Sequence, residues 1–450
     1  MKSSQTAKVP ASRLSRLSSL GGLASRVAGN VLFEGAKKLS QGQSPKLQEL
    51  VLTPKNITQV AEKLSQMRGA AMKVGQMLSM DSGELMPKEL SELLSKLRSE
   101  AKVMPHKQLI EILQRNWGAD WLTPFAHFEL RPFAAASIGQ VHQATLADGK
   151  KLAVKIQYPG IRDSIDSDID NVASLLRLSG LVPQNVQFDN LLNEAKKQLH
   201  SEADYQIELA MLNRYRALLN DDTDFTIPAP IANLCTSDIL VMDYIDGTSI
   251  ESVANEQQTI RDSVASQLLR LFFRELFEFG LMQTDPNFAN FQYQSDKQKI
   301  VLLDFGATRK IPAHLSEQYL LLMCAAKDND RAAMASAAEK IGFFRAAIDE
   351  QQKSLILDIF YQACEPLRAE QAYDFGASDL AQRIKAAGMA ISSNADKWHT
   401  PPADAIFIHR KLAGMYLLAS RLDAKIDVNA IFNVMRNKAC PAETATEQAL

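Results

Sequence analysis

Three pieces of the chain carry residue types that could handle a phosphoryl group. The first is a lysine in an apolar tract, Ala153-Val154-Lys155. The second is Asp285-Pro286-Asn287-Phe288-Ala289-Asn290, an aspartate with an asparagine five positions on. The third is Asp304-Phe305-Gly306, directly after Ile300-Val301-Leu302-Leu303. Phosphoryl transfer from ATP requires a cation on the α- and β-phosphates, a carboxylate beside the acceptor, and oxygen donors for Mg²⁺, which Asn290 and Asp304 supply. Singly, each signal is weak: Lys155 alone is a surface lysine and Asp304 alone a strand-end cap. Order, spacing and strand context carry the reading together.

The loop that would cover the phosphates departs from the glycine-rich form. Ala134-Ala135-Ala136-Ser137-Ile138-Gly139-Gln140 stands about twenty residues ahead of Lys155 with one glycine, which leaves less backbone freedom and less room for close approach. Read alone it is a small-residue turn; its place ahead of the strand pair bearing Lys155 makes it the expected nucleotide lid. Gln283-Thr284 precede Asp285 where His-Arg would be expected, and neither Ala-Pro-Glu nor a long activation segment follows Asp304. These absences favour ATP hydrolysis, or a small or lipid-like acceptor, over peptide phosphorylation.

The elements that must hold these residues are legible in outline. Val141 to Leu146, an Asp148-Gly149 turn and Leu152 to Gln157 predict a β-hairpin. Helical patterning covers Ile161 to Leu219, a short strand is expected at Ile239 to Met242, and the chain is mostly helical from Ile260. Upstream, Thr53-Pro54 is a helix start, and the spacing of Val60, Leu64, Met67, Ala71, Val74 and Leu78 predicts one amphipathic helix over 54–80, with further helices over 87–100 and 105–117. The first 50 residues hold eight Lys or Arg against two acids and an apolar face at Leu14, Leu17, Leu20, Leu23, Val27 and Val31. Contact with an anionic membrane surface, a solvated tail and an organellar targeting segment are its three readings.

With 50 Lys+Arg against 52 Asp+Glu, the balance of the 450 residues gives no support to nucleic-acid binding. Cys235, Cys324, Cys364 and Cys440 are scattered, and the seven histidines show no ligand spacing, so neither a disulfide framework nor a zinc module is expected. The most apolar stretches, Leu268 to Met282 and Ala405 to Leu418, are interrupted by charges that include Glu275, Arg410 and Lys411. They read as buried or amphipathic helices of a soluble chain, with no transmembrane segment and no signal peptide.

At these residues the sequence resembles the UbiB/aarF-domain (ADCK) atypical kinases, close to the mitochondrial ubiquinone-biosynthesis branch and its bacterial relatives. The motifs are Lys73-Val74-Gly75-Gln76 (KxGQ), the alanine-rich loop Ala134 to Ser137, Lys155, Glu202-Ala203-Asp204 (ExD), Asp285 to Asn290 and Asp304-Phe305-Gly306, spanning about residues 53 to 310. The resemblance implies an α+β, protein-kinase-like two-lobed fold, helix-rich overall, with a helical N-terminal extension packed over the active site. The expected division is a basic segment 1–50, the KxGQ extension 51–125, an N-lobe 126–245 with inserted helices, and a helical C-lobe 246–450.

The resemblance also assigns roles. Lys155 contacts the phosphates and pairs with Glu208, with Glu202 as the alternative partner. Phe133, Ala134, Ala135, Ala136 and Ser137 cover the nucleotide, and the hinge Met242, Asp243, Tyr244 and Ile245 offers backbone hydrogen bonds to adenine. Asp285 stands in the catalytic-base position, and Asn290 and Asp304 hold Mg²⁺. Lys73 and Gln76 lie on the covering helix, engaged by Glu202 and Asp204, and without the family that helix would be packing alone. The implied activity is Mg-ATP-dependent phosphotransfer or ATP hydrolysis in ubiquinone biosynthesis, with pathway enzymes or lipid intermediates as partners. A protein kinase with a displaceable autoinhibitory helix and a non-catalytic nucleotide-gated scaffold are the alternatives. The expected location is cytoplasmic or peripheral to a membrane in a bacterium, or the matrix side in a mitochondrion.

Overall fold

A computed structural model describes residues 69–71, 73–74, 103–136, 138–179, 188–344, 348–392 and 402–439. The helices expected over 54–80 and 87–100 and the basic segment 1–50 lie outside the described residues, except that residues 69–71, 73 and 74 are helical. The chain divides into two compact units, Met1–Ala210 with Ala229–Tyr244, and Met211–Pro228 with Ile245–Leu450.

The first unit is built on a five-stranded sheet. Strands β1 (Phe125–Phe128), β3 (Gly139–Leu146), β4 (Lys151–Gln157) and β6 (Ile239–Asp243) lie side by side in that order, and β2 (Ala134–Ala135) also pairs with β3. The β3–β4 hairpin closes as the Asp-Gly spacing predicts: Gly149 takes φ 86°, a left-handed value that glycine adopts without Cβ strain. Alternation then sorts the side chains of β4. Leu152, Val154 and Ile156 enter a core with Leu109, Ile112 and Leu113 of helix α1 (His106–Trp117), while Lys155 lies on the opposite side of the strand. Helices α2 (Ile161–Ser179) and α3 (Phe188–Glu202) follow, and α4 (Tyr205–Leu218) starts in this unit and runs on into residues of the second. Gly139 is required for close approach: its φ is not positive, and a Cβ there would sit 2.4 Å from the Ile156 carbonyl oxygen.

The second unit centres on α5 (Gln258–Arg274), whose Leu268, Leu271, Phe272 and Phe273 are buried. One π-helical turn, Glu275–Phe279, follows and ends at Gly280 with φ 56°. Strand β5 (Phe225–Thr226) pairs in parallel with β10 (Lys299–Leu302), which continues antiparallel to β9 (Phe291–Gln294) and then β7 (Thr248–Ser249). Strand β8 (Leu281–Gln283) pairs with β11 (Thr308–Lys310), which brings the segments around Asp285 and Asp304 together. Helices α6 (Ala313–Lys327), α7 (Arg331–Ile341), α8 (Glu350–Ala363), α9 (Leu380–Ser392), α10 (Ala403–Arg421) and α11 (Val428–Ala439) complete the unit. Among the described residues, no helix is long and apolar enough to cross a membrane, and Cys235, Cys324 and Cys364 form no disulfide.

Each unit buries a neutral histidine. His142 Nδ1 lies 2.9 Å from the Glu129 carbonyl, and its Nε2 lies 2.8 Å from the Gln140 amide nitrogen, whose oxygen accepts from Met104 N–H at 3.0 Å. That chain of partners fits a neutral ring with its proton on Nδ1. His409 is stacked on Phe343, with Tyr319 hydroxyl 2.9 Å from its Nε2. Burial pushes both imidazoles down to about 4 from 6.5. Between those values the unfolded chain binds the proton and the folded chain does not, so stability is lost as pH falls through that window, by about 1 kcal/mol per histidine per pH unit. Urea unfolding at pH 7.5 and 5.0 should show this loss, and His409→Phe should reduce it by one proton. An unchanged slope in that variant would show the ring to be hydrated.

Candidate active site

Lys155 comes from the middle of β4 and Glu208 from the first turn of α4. The ammonium donates to both carboxylate oxygens, at 2.8 and 2.9 Å, and only 7% of Lys155 and 1% of Glu208 is exposed. The Tyr205 ring lies 5.2 Å from the ammonium. Of the two carboxylates considered for Lys155, the structure brings Glu208. Glu202, at the end of α3, instead pairs with Lys73; the lysine is buried and the glutamate half-buried. Among the described residues, Asp204 pairs with neither lysine. It accepts from Gln206 N–H at 3.0 Å as the N-cap of α4, with Arg162 3.8 Å away. Gln76 and Ser137 lie outside the described residues.

The alanine tract is a tight hairpin. Ala134 and Ala135 pair with Val141 and Gln140, and Ala136 N–H donates to the Gly139 carbonyl at 2.9 Å. Phe133 is exposed, sits edge-on to Tyr244 and, with Ala134 and Ala135, lines a cavity of about 150 Å³. At the expected hinge, two donors are already spent inside the first unit: Asp243 N–H on the Ala229 carbonyl and Tyr244 N–H on the Lys151 carbonyl. Met242 and Asp243 belong to β6, and Ile245 opens the second unit.

In the second unit, Asp285 is gripped on both oxygens. Arg410 of α10 donates to Oδ1 at 3.0 Å and Asn290 Nδ2 to Oδ2 at 3.2 Å. Leu303 N–H binds the Asn290 carbonyl at 3.0 Å, tying that loop to the residue before Asp304, and Asp304 Oδ1 accepts from Gly306 N–H at 2.9 Å. Phe305 packs on Tyr215 with ring centres 4.9 Å apart. Beneath lies a carboxylate with no exposure, Glu275, which accepts from Tyr215 hydroxyl at 2.6 Å and from Gln283 N–H at 3.2 Å. Lys411 is 2% exposed, donates to Gln283 Oε1 at 3.0 Å and lies 4.0 Å from Glu275. Burial pushes the Glu275 carboxyl up and the Lys411 ammonium down, and each charge opposes the other's displacement. Tyr215, Glu275, Gln283, Asn290, Asp304 and Lys411 share one small cavity of about 10 Å³.

Sequence reasoning missed Glu275, Arg410 and Lys411. The available signal was a run of charges inside otherwise apolar helices, which excludes a membrane span and equally announces buried partners.

A strand lysine bonded to a helix glutamate, with an Asp-to-Asn loop tied to an Asp-Phe-Gly tract, defines a kinase-like protein. The chain belongs to the ABC1 atypical kinase-like family, whose domain matches residues 96–338. It is 38% identical to the rat "Atypical kinase COQ8B, mitochondrial", over 95% of this chain and 81% of that protein. It is 35% identical to "Atypical kinase COQ8, mitochondrial" of Saccharomyces cerevisiae, over 95% of this chain and 85% of that one. Rv3197 of Mycobacterium tuberculosis, solved with erythromycin, shares the fold at TM-score 0.57 and 22% identity, over 84% of this chain and 94% of its own. The protein is thus an atypical kinase by family, with the α+β kinase-like fold that the motifs imply.

Removing Glu208 takes two charge-assisted hydrogen bonds and an opposite charge from a buried ammonium. Glu208→Ala should cost about 3–5 kcal/mol of stability, whereas Lys155→Met with Glu208→Leu should cost far less. Urea unfolding compares them; a loss under about 1 kcal/mol for Glu208→Ala would show the pair to be solvated.

Proposed function

We propose that the protein binds Mg-ATP and acts as a phosphotransferase or ATPase in ubiquinone biosynthesis, on or near a lipid-like substrate at a membrane surface. The observation that carries this reading is the buried, two-pronged Lys155–Glu208 bond, which holds a cation in one position on a rigid strand. In the proposed site Lys155 meets the α- and β-phosphates, and the alanine hairpin covers the nucleotide. With Asp243 and Tyr244 N–H engaged internally, adenine is met by the remaining polar groups of residues 242–245.

Asn290 and Asp304 are the proposed ligands of Mg²⁺. Both offer hard oxygens, and the bond from Asn290 Nδ2 to Asp285 turns the amide so that its oxygen is the atom left for a cation. When bound, the cation neutralises charge on the phosphates. Asp285, steadied by Arg410 and Asn290, orients the acceptor hydroxyl or water. The pathway assignment and a matrix-side or cytoplasmic membrane location rest on the family motifs and on relatives named as mitochondrial COQ8 kinases. Ubiquinone-pathway enzymes or lipid intermediates are the proposed partners.

A second reading, a protein kinase with a displaceable helix, draws on the Lys73–Glu202 pair, the contact such a helix would have to break. Radiolabel transfer to peptides by Lys73→Ala but not by the wild type would favour it.

Mg-ATP should raise the melting temperature of the protein, and EDTA or Asp304→Asn should abolish the rise, because the carboxylate is the main anionic ligand. Equal stabilisation by ATP in EDTA, or in the variant, would overturn the metal assignment.

A further inference from the structure

We infer that α10 is the element that sets the position of the Asp285 loop, and that Lys411 and Gly414 are positioning residues for Asp285 alongside the direct contact from Arg410. The inference rests on the phosphotransferase reading for the role of Asp285, but the placement of the loop stands on geometry alone.

Three neighbouring positions of α10 meet three positions of one short segment. Lys411 holds the side chain of Gln283 at 3.0 Å, Arg410 holds the Asp285 carboxylate at 3.0 Å, and Gly414 lies under Pro286. The last contact is the most demanding. A Cβ on Gly414 would stand 2.2 Å from Pro286 Cβ and 3.0 Å from its Cγ, where ordinary contact begins at 3.4 Å. Helix and loop are therefore closer than any side chain at position 414 allows, and both partners are rigid: a helix backbone and a proline ring.

Gln283 is fixed a second time through its backbone, since its N–H donates to Glu275 at 3.2 Å. Glu275 lies within 4.0 Å of Lys411, so the residue two before Asp285 is clamped by both members of one buried ion pair. Thr284 completes the run: its N–H and hydroxyl both donate to the Ala307 carbonyl, at 3.2 and 2.8 Å. A neutral side chain at 411 leaves Glu275 buried without its cation and Gln283 Oε1 without its donor, both costly in a dry interior. The segment then relaxes at its root, and a displacement of the order of 1 Å at a reacting group costs about a hundredfold in rate.

The test uses the full chain with Lys411→Met and Gly414→Ala, and two readouts. Amide hydrogen exchange of peptides covering residues 281–294 should accelerate by about tenfold or more in both variants, with the peptide covering 313–327 unchanged. ATP turnover should fall by about a hundredfold in kcat while KM for Mg-ATP stays within about threefold. Gly414→Ala keeps every charge in place, so it reports even where Lys411→Met does not fold. Loop exchange at the wild-type rate in Gly414→Ala overturns the inference, as does uniform acceleration across the unit, which is the signature of general destabilisation. A wild type without ATP turnover whose loop still loosens in the variants supports the placement and overturns the phosphotransferase reading instead.

Discussion

A charge taken out of water must be met by an opposite charge or by several hydrogen bonds, and this protein applies that constraint at each place where its chemistry would occur. Lys155 is the clearest case. Its ammonium is almost without solvent contact, so Glu208 has to be where it is; α4 must then present its first turn to β4, and Asp204 must cap that turn. The Arg162 guanidinium, donating to the Ala203 and Ser237 carbonyls, fixes the chain just ahead of it. A single pairing thus propagates into the arrangement of a strand, a helix and the corner between α3 and α4.

The second unit repeats the device with different partners. Here Asp285 is held from α10, more than a hundred positions away, and the buried Glu275–Lys411 pair anchors the strand that leads to it. The π-helical turn at Glu275–Phe279 belongs to the same solution. Extra width at the end of α5 accompanies a carboxylate directed at Tyr215 and at the backbone of β8. In the first unit the alanine tract replaces glycine flexibility with paired strand, and the surviving Gly139 makes room for the Ile156 carbonyl instead.

Local order was legible in the sequence because its causes are local. Asp148-Gly149 between alternating tracts gives the hairpin, and the apolar run before Asp304 gives β10, because turn chemistry and side-chain alternation act over a few residues. The ordering of Lys155, Asp285, Asn290 and Asp304 disclosed the family for the same reason. Partnership across the fold was not legible. Glu202 and Glu208 lie on adjacent helices with similar surroundings in sequence, and only the tertiary path of α3 and α4 sends one to Lys73 and the other to Lys155. The Asp243 and Tyr244 N–H groups, taken up by the Ala229 and Lys151 carbonyls, are backbone donors, which no side-chain pattern reports. Arg410 and Lys411 left a trace, charge in an apolar helix, that named no partner.

The central claim is that this constellation moves or releases the γ-phosphate of ATP. Single-turnover measurement of phosphate leaving radiolabelled Mg-ATP tests it most directly, on the full chain, with and without anionic liposomes and phenolic lipid analogues. The account predicts Mg²⁺-dependent loss of the label from ATP, to water or to a lipid-like acceptor, that disappears in Lys155→Met while that variant remains folded. Intact ATP under every condition, or label loss at the same rate in Lys155→Met, would contradict it.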